Sequence, residues 1–192
     1  MDPLKVLIAE DESLTRTILR ARLEKLGHRV VAEAETGVEA VEAARNAKPD
    51  VIIMDIRMPE MDGIEAARLI FDENPCAILF LTAYSEDALV ERASEAGALA
   101  YLMKPFRRED LGPAIEVAVR RFRQIQGQAK EIEDLREALE TRKIIERAKG
   151  ILMDRHHLTE DEAFKRIHFQ ARNQNKKMRD IAQSIITAAE LM

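Results

Sequence analysis

One cysteine, no tryptophan and an aromatic content of only 4% limit what this chain of 192 residues can be. A single thiol excludes an internal disulfide and fits a reducing compartment. That cysteine, Cys76, stands just before an apolar run and reads as a small core residue. With so few rings, packing falls to Leu, Ile, Val, Ala and Met. No apolar stretch approaches the roughly 20 residues needed to cross a bilayer. The N-terminus, with Asp2 and Pro3, has no basic region of the kind that opens a secretory signal. A cytoplasmic protein with no membrane partner is expected. Neither G-x-G-x-x-G nor a P-loop occurs, which argues against a nucleotide-binding enzyme. What is present is ordinary: 46% of residues are hydrophobic, enough to bury a real core.

Charge is divided unevenly. Residues 1–140 carry 19 basic against 28 acidic side chains, a net of −9, and residues 141–192 carry 11 against 7, a net of +4. An acidic front and a basic back suggest two modules with different partners, the second suited to a polyanion. A mildly basic helical surface with no such partner is the plainer alternative.

Five short apolar runs recur: Val6–Ala9, Val30–Ala32, Val51–Met54, Ala77–Leu81 and Leu99–Met103. Each fits a strand buried on both faces of a parallel sheet. Helix-period stretches lie between them. The first carries Leu14, Ile18, Leu19, Leu23 and Leu26 and stops at Gly27. The others run over about 37–47, 64–74, 86–97 and from 108 onward. Strands alternating with helices predict an α/β domain with a doubly wound five-stranded parallel sheet.

After Leu111 no strand pattern returns. Residues 114–140 read as one long polar helix, in which Ile125, Ile132 and Leu139 are spaced by seven and Leu135 sits at a d position. Arg121, Gln128 and Arg142 hold the other d positions, so the seam suits a weak dimer or a solvated connector equally. Residues 141–192 give three amphipathic segments. Thr159–Glu162 forms a capping box ahead of Ala163, Phe164, Ile167 and Ala171. An all-α three-helix bundle is expected, with Phe164 in its core. His156 and His157 read as turn residues, because no third ligand stands at zinc spacing.

In an open α/β sheet, ligands sit beyond the carboxyl ends of the strands. There the first strand ends in Glu10-Asp11-Glu12, the third in Asp55, the fourth in Thr82 and the fifth in Lys104. Carboxylates converging on one edge repel unless a cation sits among them, and oxygen donors of this number suit Mg²⁺. A carboxylate can attack phosphorus to form an acyl phosphate. The transferred group then needs positive charge and a hydroxyl donor, which Lys104 and Thr82 supply.

These residues resemble the receiver domain of two-component response regulators. The likeness rests on Glu10-Asp11, "IIMDIRMPEMDG" around Asp55, "LTA" at Thr82 and "KPF" at Lys104, and it covers residues 4–120. It implies the flavodoxin-like sheet and a sensor histidine kinase as partner. Asp55 would be the phosphoacceptor. Glu10, Asp11, Asp55 and the Arg57 backbone carbonyl would hold Mg²⁺. Thr82 would sense the phosphoryl group, Tyr101 would switch rotamer with it, and Lys104 would pair with it. The resemblance also implies a cis Lys104-Pro105 bond. It departs at Glu10, where Asp is usual. The extra methylene could move that contact to one through water.

Residues Leu135–Ile186 are similar to the ANTAR domain, an RNA-binding antitermination output. The marks are "RKIIERAKGILM", the Thr159–Glu162 turn before "EAF", and "ARNQNKKMRDIA". The resemblance implies binding to paired RNA stem-loops in leader transcripts, which prevents a terminator hairpin from forming. A homodimer on phosphorylation would match two adjacent stem-loops. The candidate RNA surface is Lys149, Gly150, Arg172, Asn173, Lys176, Lys177 and Arg179, with Gln174 as a second amide. Gly150, beside Lys149, leaves the backbone little shielded, although it could equally relieve packing against a neighbouring helix. Stacking on a base would fall to Arg172, a histidine or Phe169, and the residues do not choose among them.

The expected organisation is therefore a receiver at 1–120, a helical linker at 121–140 and the RNA-binding bundle at 141–192. A receiver coupled to a DNA-binding or protein-docking helical output is the alternative. The long helix before the bundle and the apolar stretch from Met178 fit a helix-turn-helix poorly, and the +4 charge speaks mildly against protein docking.

Overall fold

The structure is a computed structural model that describes residues 2–83 and 100–190. The helix expected over 86–97 lies outside the described residues. The chain divides into two compact units, Met1–Gln126 and Gly127–Met192.

In the first unit, β1 (Lys5–Ala9), β2 (Arg29–Ala34), β3 (Val51–Asp55), β4 (Ala77–Ala83) and β5 (Ala100–Lys104) form one parallel sheet in the order β2-β1-β3-β4-β5. Between them lie α1 (Ser13–Lys25), α2 (Gly37–Ala47) and α3 (Gly63–Glu73). The apolar runs are double-sided. Val6, Ile8, Ile53, Leu79 and Leu81 face one core with Leu19 and Leu23 of α1, whereas Leu7, Ile52, Met54, Ile78 and Phe80 face the other with Ile64 and Ile70 of α3. Each such side chain, fully buried, contributes about 1.5–3 kcal/mol. The sheet thus makes one core on each face, so the inner strands β1, β3 and β4 show no polar alternation, whereas the edge strands β2 and β5, expected to be buried on both faces, are only partly covered.

Local signals set the helix starts. Thr36 accepts a hydrogen bond from the Glu39 N–H at 3.2 Å, and Asp62 accepts one from Glu65 at 2.8 Å. Each cap is worth about 1 kcal/mol. Gly27, at φ 84°, takes the left-handed turn after α1 that a side chain resists. The expected stripe on α1 is narrower than its sequence suggests. Leu19 and Leu23 are buried, but Leu14 stays 64% exposed, with Ile18 and Leu26 also exposed. Cys76 is buried, as its position before β4 implied, and burial, with the nearby Asp50 charge, pushes its thiol up to about 12.

Helix α4 (Arg108–His156) begins in the first unit and continues into the second without a break near residue 140, where separate helices were expected. In the first unit its Leu111, Ile115, Ala118 and Val119 complete the α1-side core. In the second, Ala148 and Leu152 of α4 pack with Ala163, Ile167 and Ala171 of α5 (Glu160–Gln174) and Ile181, Ala182 and Ile186 of α6 (Met178–Glu190). The capping box is complete: the Thr159 hydroxyl accepts from the Glu162 N–H, and the Glu162 carboxylate accepts from the Thr159 N–H.

Phe164 departs from expectation. Its side chain is 43% exposed and stacks on His168 rather than entering the core. The buried stripe of α5 runs through Ala163, Ile167 and Ala171 at intervals of four. Phe164, one residue along, is turned about 100° away from that stripe. The seam residues Ile125, Ile132, Leu135 and Leu139 are all exposed in this single chain.

Candidate functional site

Register builds the first site. Ala9 pairs with Met54 across β1 and β3, so the residues that follow, Glu10 and Asp55, end adjacent strands. Asp55 pairs with Leu81, and Ala83 with Lys104, which brings Thr82 and Lys104 to the same edge. This edge is where the sheet connections reverse direction, at β1 and β3, the usual place for a ligand in such a fold.

The Lys104 ammonium lies 2.7 Å from Asp55 Oδ2 and 2.6 Å from Glu10 Oε2. The Asp55 contact is a hydrogen bond. The Glu10 contact is a close ion pair with the same ammonium, which bridges the two carboxylates. Glu10 Oε1 accepts a long bond from the Glu12 N–H, at 3.4 Å. One carboxylate oxygen each from Glu10, Asp11 and Asp55 falls within 4.8 Å of the others. Burial, with the Asp55 charge added, holds the Glu10 carboxyl above its ordinary value, although Lys104 pulls the other way. Burial likewise opposes the Lys104 charge, but Asp55 and Glu10 outweigh it and raise the ammonium. Three close carboxylate oxygens, one from each of three residues, form a donor set that a small hard cation fits.

Thr82 is buried at the rim. Among the described residues its hydroxyl donates to the carbonyl of the next residue, Ala83, at 3.2 Å. Tyr101 is half-buried and stacks on Phe80, with centroids 6.3 Å apart. The Lys104-Pro105 bond is cis. Gly63 marks a close approach: a Cβ there would fall 2.1 Å from the Asp55 carbonyl oxygen. The Gly63 N–H donates to the Ile56 carbonyl at 2.8 Å, so α3 starts hard against the backbone that carries Asp55.

The basic bundle is less uniform than its sequence implied. Lys149 is no free cation. It is 6% exposed, and its ammonium donates to Glu146 at 2.9 Å and to Glu160 at 2.7 Å. The bonds to Glu160 and then Glu146 raise the lysine above its ordinary value, and the same contact lowers Glu160. Lys149 thus ties α4 to the first turn of α5, and its charge is spent within the bundle. Around Gly150 a Cβ would meet open space, so no packing demand calls for glycine there. Gly127 shows the same openness, so this feature does not single Gly150 out. Arg179 lies 3.7 Å from Glu137. Arg172, Asn173, Lys176 and Lys177 are exposed. Arg172, Lys176 and Lys177 share the wall of one cavity with His168, one of the histidines considered for stacking, and with Asn175 and Met178, which the sequence did not mark as RNA contacts. The legible signal for these was Asn175 just past a helix end, a position that favours the left-handed conformation Asn tolerates; it adopts φ 50°, ψ 43°.

Comparison with known proteins agrees with this geometry. Residues 6–116 match the response regulator receiver domain, and residues 133–186 match the ANTAR domain. The transcriptional regulatory protein PdtaR of Mycobacterium tuberculosis H37Rv is 50% identical over 184 residues, covering 96% of this chain and 90% of that protein. Among solved structures, the receiver domain of the sensor histidine kinase PA1611 from Pseudomonas aeruginosa, which holds a coordinated magnesium ion, is 34% identical with a TM-score of 0.56, over 61% of this chain and 98% of that one. The receiver domain of the putative response regulator NarL from M. tuberculosis is 31% identical with a TM-score of 0.59, over 62% of this chain and 98% of that one. A five-stranded sheet that gathers an acidic cluster and a lysine at its switch edge, followed by the helical ANTAR segment, places this chain in the family of two-component response regulators whose receiver domain precedes an ANTAR domain.

Proposed function

We propose that this chain receives a phosphoryl group from a sensor histidine kinase at Asp55 and answers by binding paired RNA stem-loops, so that a transcription terminator does not form. The observation that carries the reading is the 2.7 Å contact of Lys104 with Asp55 inside the acidic cluster, on the same chain as the ANTAR segment. Residues 1–120 act as the receiver, 121–140 as a helical linker and 141–192 as the RNA-binding domain. The absence of any helix long and apolar enough to span a membrane, among the described residues, is compatible with work in the cytoplasm.

An Asp55 carboxylate oxygen attacks phosphorus. The O–P bond forms as the N–P bond of the kinase phosphohistidine breaks, and the electron pair leaves with the imidazole nitrogen. Glu10, Asp11, Asp55 and the Arg57 carbonyl would hold Mg²⁺, which when bound neutralises charge on the phosphoryl oxygens. Lys104 already touches Asp55 and shifts its ammonium onto a phosphoryl oxygen. The Thr82 hydroxyl, which donates to the neighbouring Ala83 carbonyl, turns to donate to another. Tyr101 follows by changing rotamer. The chain is a regulator by this reading, and not an enzyme that turns over a substrate.

Glu10 tests the metal. With its carboxyl raised, the favourable contribution of the group is complete below the unfolded value near 4.5 and is lost as pH rises through the folded value. At neutral pH without metal the charge therefore costs stability. Glu10→Gln is expected to raise the thermal midpoint of the metal-free protein at pH 7 and to shrink the further rise produced by saturating Mg²⁺. An undiminished Mg²⁺ response in Glu10→Gln would remove Glu10 from the metal set.

RNA is separated from DNA by a competition gel shift, in which a labelled hairpin RNA bound by the protein is challenged with unlabelled RNA or its DNA analogue. The expected result is displacement by RNA at far lower concentration. Equal displacement by DNA would favour the DNA-binding alternative.

A further inference from the structure

We propose that the cavity at the turn between α5 and α6 seats a single unpaired nucleotide of an RNA loop, with its base inside and its phosphate at the cationic rim. The proposal rests on the RNA-binding reading above and names what that surface recognises. The cavity has a volume of about 570 Å³ and is walled by His168, Arg172, Asn175, Lys176, Lys177 and Met178.

Charge accounting points here. Within the bundle, Lys143, Arg147, Lys149, Lys165 and Arg179 each lie against a carboxylate. Arg172, Lys176 and Lys177 have no carboxylate partner among the described residues, and they share one concavity. Arg142 and Arg166 are also unpaired among the described residues but do not line this cavity. Field strength that is spent inside the chain elsewhere is available to a ligand here.

Turn geometry makes the cavity. The Asn175 N–H donates to the Arg172 carbonyl at 3.3 Å, and the Lys176 N–H donates to the Ala171 carbonyl at 3.0 Å. The backbone groups that close α5 are therefore satisfied internally, while the Asn175 side-chain amide has no partner among the described residues. Such an amide offers a donor and an acceptor together, the pattern needed for a base edge. His168 stacks on the exposed ring of Phe164 at 6.4 Å and 13°, which steadies the imidazole in the cavity wall. The Met178 thioether adds a pliable apolar surface.

Flat ring, unpaired amide, apolar contact and three cations suit a nucleotide, which presents a planar base and an anionic phosphate at once. An acidic peptide would use the cations and leave the ring and amide idle.

The experiment uses the full chain, before and after treatment with a small-molecule phosphodonor. A hairpin RNA pool of fixed stem and randomised loop is selected for binding. Each loop position of the winning hairpin is then made abasic in turn, and affinity is read by fluorescence anisotropy for wild type, Arg172→Ala and Asn175→Gly. Glycine keeps the left-handed backbone at 175, and circular dichroism confirms that both variants fold. One loop position should stand out in wild type, where loss of the base weakens binding roughly five- to hundredfold. In both variants that same abasic change should cost little more, because the contact is already gone. If every abasic loss is as large in the variants as in wild type, RNA is read elsewhere and the cavity assignment fails while the RNA reading stands. If wild type retains no hairpin from the pool in either state, the RNA reading fails and the cavity assignment with it.

Discussion

Asp55→Asn is expected to gain no mass when incubated with Mg²⁺ and a small-molecule phosphodonor, whereas wild type gains one phosphoryl group. Asp55 closes β3, lies in the acidic cluster and holds Lys104 at 2.7 Å. The amide keeps the shape but loses the nucleophilic charge. Chelation of Mg²⁺ should likewise stop wild-type labelling, because the phosphoryl charge is then left uncompensated. Sedimentation of the same samples reports the second half of the effect. Phosphorylated wild type should shift towards the mass of a dimer and Asp55→Asn should not, since a ligand shifts an equilibrium only through its differential affinity for the two states. The exposed Ile125, Ile132, Leu135 and Leu139 would add apolar surface to such a contact. Labelling of Asp55→Asn at the wild-type rate would move the phosphoacceptor elsewhere. A labelled wild type of unchanged mass in the centrifuge would end the dimer proposal alone.

Gly63→Ala should give the largest loss of stability from a single methyl group. Its Cβ would stand 2.1 Å from the Asp55 carbonyl oxygen and 3.1 Å from Met54 Cγ. Carbonyl oxygen on a buried strand cannot yield as a flexible side-chain end can. Either α3 lifts from the sheet or β3 bends, at a cost of about 1–3 kcal/mol, toward the upper end because backbone must move. Both tyrosines, Tyr84 and Tyr101, precede residue 127 in the sequence, where the second unit begins, and there is no tryptophan. Intrinsic tyrosine fluorescence in a urea titration therefore reads the receiver alone. The midpoint should fall sharply, and phosphorylation of the surviving folded fraction should slow because Asp55 is displaced. A wild-type midpoint would show that α3 can shift on the sheet without cost and would end this prediction.

The two predictions differ in how far the sequence foresaw them. Asp55 was legible because a strand buried on both faces is a continuous apolar run, and the charged residue that ends it must lie at the sheet edge. Glu10, Thr82 and Lys104 were legible for the same reason. Gly63 belongs to the quoted motif, but nothing in the string tells that its missing Cβ is demanded by a carbonyl eight residues earlier.

By itself, then, the sequence determined what depends on local pattern: five strands, the described helices between them, the capping box at Thr159 and Glu162, and the order of the acidic, hydroxyl and ammonium residues along one edge. Those features follow from hydrophobic period and from turn and cap chemistry, which act over a few residues. Tertiary structure alone decided the fate of individual side chains. It set the Lys104 ammonium between the buried Glu10 carboxylate and Asp55. It ran α4 unbroken through residue 140. It turned Phe164 outward onto His168 and spent the Lys149 charge on Glu146 and Glu160. A cation is available to a ligand only if no carboxylate reaches it first. For Lys149 the second carboxylate comes from the next helix, eleven residues on, and only the packed bundle brings the two together.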